Sequence, residues 1–203
     1  MAIDKNKVKA FWDARAQKLN EVSFESIANL EEDPRNLELK ISLETAKVFE
    51  YLGDVAGRSI VDIGAGVGQW SFRFFERRAS WVTAVEYSAE LADIGRREAT
   101  RRNAHNVEFV VSPAEDFQAK RTYDIVFISG LFVYMNDDQA EKFAASLPAL
   151  CSPQTVVLLR DGTSILGHRH EIDNRKSEHL QAMYSATYRT RAQYLDLFTC
   201  NGF

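Results

Sequence analysis

Three glycines at alternate positions, Gly64, Gly66 and Gly68, follow an apolar run that carries a carboxylate, Ile60-Val61-Asp62-Ile63. A turn without Cβ atoms lets backbone approach a ligand closely. About 18 residues past Gly68, a second apolar run, residues 81–85, closes on Glu86 and then Tyr87. A carboxylate there can accept hydrogen bonds from both hydroxyls of a ribose, each charge-assisted bond worth roughly 1.5–3 kcal/mol. The glycine pattern alone is weak evidence, and a plain tight turn would look the same. Its weight comes from the downstream motifs and their spacing.

The elements that would position these groups can be read from the same stretch. Apolar runs at residues 59–63, 81–86, 107–111, 123–130 and 155–161 alternate with helical periodicity over 71–78 and 137–150. Strands and helices alternating at this period form a parallel sheet, and such sheets bind ligands at the carboxyl ends of their strands. There the third run delivers the polar turn Ser112-Pro113-Ala114-Glu115-Asp116-Phe117, and the fourth delivers Ser129 and Gly130 with Tyr134 just beyond.

As an ordered set these motifs resemble the class I S-adenosylmethionine-dependent methyltransferases. Asp62, Gly64, Ala65, Gly66 and Gly68 match the family's first motif, and Glu86 its ribose-binding acid. Ala114 and Glu115 match its adenine-side turn, and Ser129-Gly130-Leu131 the loop beside the methyl donor. The resemblance covers residues 53–160. It implies S-adenosylmethionine as cofactor, S-adenosylhomocysteine as product, and an α/β, Rossmann-like, doubly wound and mostly parallel sheet of order 3-2-1-4-5. A dinucleotide fingerprint would need G-x-x-G in its second half, which counts against a nicotinamide oxidoreductase.

A chain of 203 residues with 45% hydrophobic content fits one domain with a substantial core. The expected organisation is an N-terminal helical cap over residues 1–52, a cofactor-binding core over 53–161 and a substrate-side insertion over 162–191. The cap reads as helices at 4–19 and 37–52 separated by a polar breaker at 31–36. A net charge of −4 argues against nucleic acid as partner. The arginines near residues 73–78 and 96–102 read as solvated helix faces, because acids are interspersed among them. No run approaches the ~20 apolar residues of a membrane helix, and the N-terminus lacks a signal-peptide core. Two cysteines without paired spacing point to reduced thiols, and the expected location is the cytoplasm. No metal-type array of histidine and cysteine is present, a small-molecule acceptor is expected, and a homodimer is left open.

Methyl transfer is an in-line substitution in which positioning can supply about 7–11 kcal/mol, so no single catalytic residue need stand out. If a base is required, His168 and His170 are the candidates by intrinsic pKa, with solvent-exposed loop histidines the plainer alternative. Tyr134 would orient the acceptor or pack under its loop. Trp12 would close the donor pocket, pack its helix on the sheet, or both. Arg160 and Arg169, with Arg175, Lys176, Arg189 and Arg191, would suit a carboxylate or phosphate on the acceptor. Asp161, Glu171, Asp173 and Glu178 could instead neutralise them. Ala186–Thr190 is strand-like, and residues 191–200 read as a helix capped by Thr190. In the resembled family two further strands follow, so the last two strands appear to be missing. The fifth would then be an edge, through a shortened chain or with a partner's cover. A catalytically silent protein that binds the donor or its product as partner or sensor is the alternative function.

Overall fold

The computed structural model describes residues 3–178, 180 and 182–203; His179 lies outside them. Helix α1 (Lys5–Gln17) starts where the Asp4 carboxylate accepts the backbone N–H of Asn6 and Lys7, since the first amides of a helix have no partner within it. A short helix, α2 (Phe24–Asn29), is capped by Ser23 and was not legible in the sequence. The long helix α3 (Pro34–Leu52) begins inside the segment that reads as a breaker. Asp33 caps it, and a proline at the first helical position gives up no hydrogen bond. The same two residues therefore start a helix instead of interrupting one.

The core comprises β1 (Ser59–Ile63), α4 (Gln69–Glu76), β2 (Trp81–Glu86), α5 (Ala89–Arg101), β3 (Val107–Val111), β4 (Tyr123–Ser129), α6 (Asp137–Ser146) and β5 (Cys151–Arg160). The five strands form one sheet of order β3-β2-β1-β4-β5 with every neighbouring pair parallel. This is the Rossmann-like arrangement expected, with β5 at one edge. Strand β5 starts at Cys151, four residues earlier than its apolar run, and α6 gives way to a 3₁₀ turn over Leu147–Leu150 where Pro148 interrupts it.

The central strands β1, β2 and β4 are covered on both faces, which is why they read as nearly continuous apolar runs. On one face Ile60, Val82, Ala84 and Phe127 pack against Phe72 and Phe74 of α4 and Val48 and Leu52 of α3. On the other, Val61, Ile63, Val126 and Ile128 meet Phe132, Phe143 and Leu147. Each large side chain buried in these layers contributes about 1.5–3 kcal/mol.

After β5 the chain forms β6 (His170–Ser177), β7 (Ala182–Tyr188) and α7 (Arg191–Thr199). The polar segment read as an insertion contains a strand: β6 pairs antiparallel with β7 in a separate two-stranded sheet. This hairpin packs on α1 and on the turn Phe132–Tyr134. Arg189, only 4% exposed, fixes it there by donating to the carbonyls of Phe132 and Met135 and to Asp137. Thr190 caps α7 as expected, in a capping box completed by Gln193. Among the described residues, no helix is long and apolar enough to cross a membrane.

Candidate active site

At the carboxyl ends of the strands lies a chamber of about 730 Å³, a size suited to a small-molecule site. Its floor is the turn after β1. The amides of Gly64 and Ala65 donate to Val85 O at 2.9 and 3.0 Å, drawing the turn toward β2. Gly64 and Gly66 both have positive φ (76° and 58°). A Cβ on Gly64 would come within 3.2 Å of Leu131, and one on Gly66 within 3.3 Å of Ala28. Backbone thus faces the chamber where side chains would obstruct it.

Glu86 sits beside that floor, 8% exposed, and accepts the amides of Gly66 and Ser88 at 2.8 Å each. Burial pushes its carboxyl above the ordinary range, and those amides oppose the shift. Asp62 is buried under the turn, bonded by Ser71 Oγ at 2.7 Å, and burial pushes its carboxyl up to about 7. Asp62 is not a chamber-lining residue, and supports the turn from beneath.

Farther along, a short turn carries Ala114 and Glu115, and Glu115 accepts from Gln139 Nε2 at 2.8 Å and from Lys5 Nζ at 3.4 Å. Tyr87 lines the mouth beneath the ammonium of Lys9. Helix α1 closes this side: Ser88 Oγ donates to Asp13 at 2.7 Å, and Trp12 meets Tyr134 edge-on with centroids 5.3 Å apart.

At the other end, Ser129 and Gly130 lie beside the end of β5. Arg160 donates to Ser129 Oγ at 2.7 Å, pairs with Glu44 of α3, and lies over the Trp70 ring. Lys40, one turn before Glu44, donates to the carbonyl of Asn29. Asp161 accepts the amides of Leu131, Phe132 and Gly162, and burial pushes its carboxyl up to about 6.

The chamber therefore gathers Trp12, Gly64, Ala65, Gly66, Glu86, Tyr87, Ala114, Glu115, Ser129, Gly130, Tyr134 and Arg160 from the sequence-derived set. Gly68 lies behind it, packed on Phe109 and Phe72. His168 is exposed, with its carbonyl accepting from Ser164, and His170 stacks on Tyr188 with centroids 6.3 Å apart. Neither histidine lines the chamber. Arg169 is drawn away to Asp137 and Glu171. Sequence reasoning missed Lys40 and Glu44, whose i,i+4 spacing on α3 was the one available signal, and the chamber residues Asp161 and Tyr188.

A parallel sheet of this order, with a side-chain-free turn after β1 and an acid ending β2, fits the Rossmann-like methyltransferase fold. Residues 60–154 match the family model described as a methyltransferase domain. That stretch is a little under half of the chain, and it is similar to such a domain. Phosphoethanolamine N-methyltransferase 1 of Caenorhabditis elegans is 26% identical over 159 residues, which is 77% of this chain and 31% of that protein. The protein of the same name from Triticum aestivum is 22% identical over 163 residues, with 78% and 31% covered. The chain thus spans about a third of the length of these curated relatives. Among solved structures, Haemonchus contortus phosphoethanolamine N-methyltransferase 1 with phosphoethanolamine and S-adenosylhomocysteine superposes with a TM-score of 0.74. It is 20% identical, with 95% of this chain and 39% of that one covered. The DhpI–SAH complex gives 0.67 at 22% identity, covering 98% and 87%.

Proposed function

We propose that this chain transfers a methyl group from S-adenosylmethionine to a small acceptor bearing an anionic group. The observation that carries the proposal is the continuity of the chamber. The glycine turn and Glu86 share one cavity with Arg160, Trp12, Tyr134 and Tyr188, so donor and acceptor would meet inside it. When bound, the donor supplies an electrophilic methyl on a sulfonium. Glu86 would accept the ribose hydroxyls, the turn at Ala114 and Glu115 would face the adenine, and the glycine turn with Ser129 and Gly130 would border the methionine part. Asp161, by holding the amides of Leu131 and Phe132, fixes the loop that walls the acceptor side.

Arg160 is the cation suited to the acceptor's anion, because a guanidinium binds carboxylate or phosphate bidentately. Its present partner, Glu44, would be displaced or shared on binding. The names of the relatives agree with this chemistry: the C. elegans and T. aestivum proteins are phosphoethanolamine methyltransferases. Labelled methyl transfer to phosphoethanolamine, compared with ethanolamine, tests the proposal. The phosphorylated acceptor should be preferred, and Arg160→Leu should raise its KM by roughly 10- to 150-fold, the value of one charge-assisted contact. Equal turnover of both acceptors would refute the anionic requirement. No uptake of S-adenosylhomocysteine would refute the whole assignment.

A further inference from the structure

Transfer of a methyl group to an amine or hydroxyl leaves one proton to be disposed of. The acceptor's N–H or O–H becomes N–CH3 or O–CH3, the electron pair of the broken C–S bond stays on sulfur, and the proton must leave. The chamber's carboxylates already hold other partners: Glu86 two amides, Glu115 Gln139, Asp116 Lys142, Glu44 Arg160, and Asp161 three amides. Neither histidine singled out from the sequence lines the chamber. Two phenols of the chamber wall, Tyr134 and Tyr188, can both take and give a proton.

These phenols share a third. The Tyr184 hydroxyl lies 3.4 Å from that of Tyr134 and 3.2 Å from that of Tyr188. Tyr184 does not line the donor chamber. It lines a second cavity of about 460 Å³ on the far side of Tyr134, between α1 and the β6–β7 hairpin. Exposed Lys7, Asn174 and Met183 also line that cavity, so it communicates with solvent. The oxygen separations exceed the ~2.7–2.8 Å of a settled O–H···O bond, as catalytic contacts commonly do before substrate arrives. Burial pushes the Tyr134 and Tyr184 phenols up, which disfavours a phenolate and suits a hand-off in which each oxygen gains one proton as it gives up another.

We infer that Tyr134, Tyr184 and Tyr188 form a proton relay from the acceptor, through Tyr184, to water in the second cavity. In one passage the acceptor's proton goes to the oxygen of Tyr134 or Tyr188, whose own proton goes to Tyr184, whose proton goes to water. Charge and atoms balance, and no tyrosine is left ionised. The inference rests on the methyl-transfer reading of the chamber.

Tyr184→Phe tests it, because the ring keeps its edge contacts with Phe11 and Tyr134 and loses only the bridging hydroxyl. With tyrosine labelled at 13Cζ, the variant should move the resonances of both Tyr134 and Tyr188 beyond any change seen in the other tyrosines. S-adenosylhomocysteine affinity by calorimetry should stay within twofold, and the melting temperature should hold. Single-turnover transfer to phosphoethanolamine should fall at least tenfold and recover in part with added imidazole, which substitutes for the lost carrier. Unshifted resonances, or transfer within twofold of wild type, would overturn the relay. So would a loss that imidazole does not restore, because it would mark a packing role. A wild type that binds S-adenosylhomocysteine yet methylates no amine or alcohol would overturn the methyl-transfer reading and the relay together. A wild type active beside an unaffected variant would overturn the relay alone.

Discussion

Replacing Glu86 with glutamine is the sharpest single perturbation of the donor site. The carboxylate accepts the Gly66 and Ser88 amides at 2.8 Å, one on each oxygen. An amide has one acceptor oxygen and one donor nitrogen, so it would set N–H against N–H at one of these two positions. Leaving a buried donor unpaired costs about 1–3 kcal/mol. The ribose hydroxyls would also lose a charged acceptor. Two bonds of roughly 1.5–3 kcal/mol would become neutral ones of about 0.5–1.5 kcal/mol. The binding loss then comes to about 2–3 kcal/mol, or roughly a 30- to 150-fold rise in Kd. Titration calorimetry with S-adenosylhomocysteine reads this directly, with a melting curve to show that the variant is folded. A folded Glu86→Gln protein whose Kd rises less than threefold would refute the assignment of Glu86 and the position of the donor with it.

Asp62 gives a pH signature. Its carboxyl is pushed up to about 7 by burial, against about 4 in an unfolded chain. The native state therefore holds a proton that the unfolded state has lost between those values. The contribution of Asp62 to stability is full below pH 4 and disappears as pH rises to 7, with an upper bound of about 4 kcal/mol. Asp62→Asn should gain stability relative to wild type between pH 5 and 8 in urea titrations. A difference that stays flat over that range would refute the shift. Gly95 lies in α5 against the Phe109 ring, and a Cβ there would overlap it. Overpacking costs about 1–3 kcal/mol and outweighs the ~1 kcal/mol gained in helix propensity. Gly95→Ala should lower the melting temperature by roughly 2–8 °C, and Phe109→Leu in the same chain should restore it. A higher melting temperature for the single variant would refute the close contact.

The parallel sheet and the glycine-turn side of the chamber were legible because local sequence carries them. Strands β1 and β2 are buried through both faces, β3 alternates with Glu108 exposed, and the glycines and Glu86 fall at the ends of their own strands. The acceptor side was less legible. Asp33-Pro34 read as a breaker because acid and proline serve equally well to end a helix or begin one, and only the residues downstream decide. Strand β6 was hidden because His170–Ser177 is polar and half-exposed, held by pairing to β7 and not by an apolar run. Arg189 looked like a candidate anion site among neighbouring cations, yet its guanidinium is spent on two carbonyls and Asp137.

Sequence by itself determined the class of fold, the glycine turn after β1 and the acid that ends β2, because each depends on residues adjacent in the chain. Tertiary structure decided which side chains share the chamber. It brought Arg160 to Glu44 and Trp12 to Tyr134, set the phenol of Tyr184 between those of Tyr134 and Tyr188, and left His168 and His170 outside. The physical reason is distance along the chain. Periodicity and caps act within a few residues, whereas a site wall is assembled from segments whose meeting is fixed only when the layers pack.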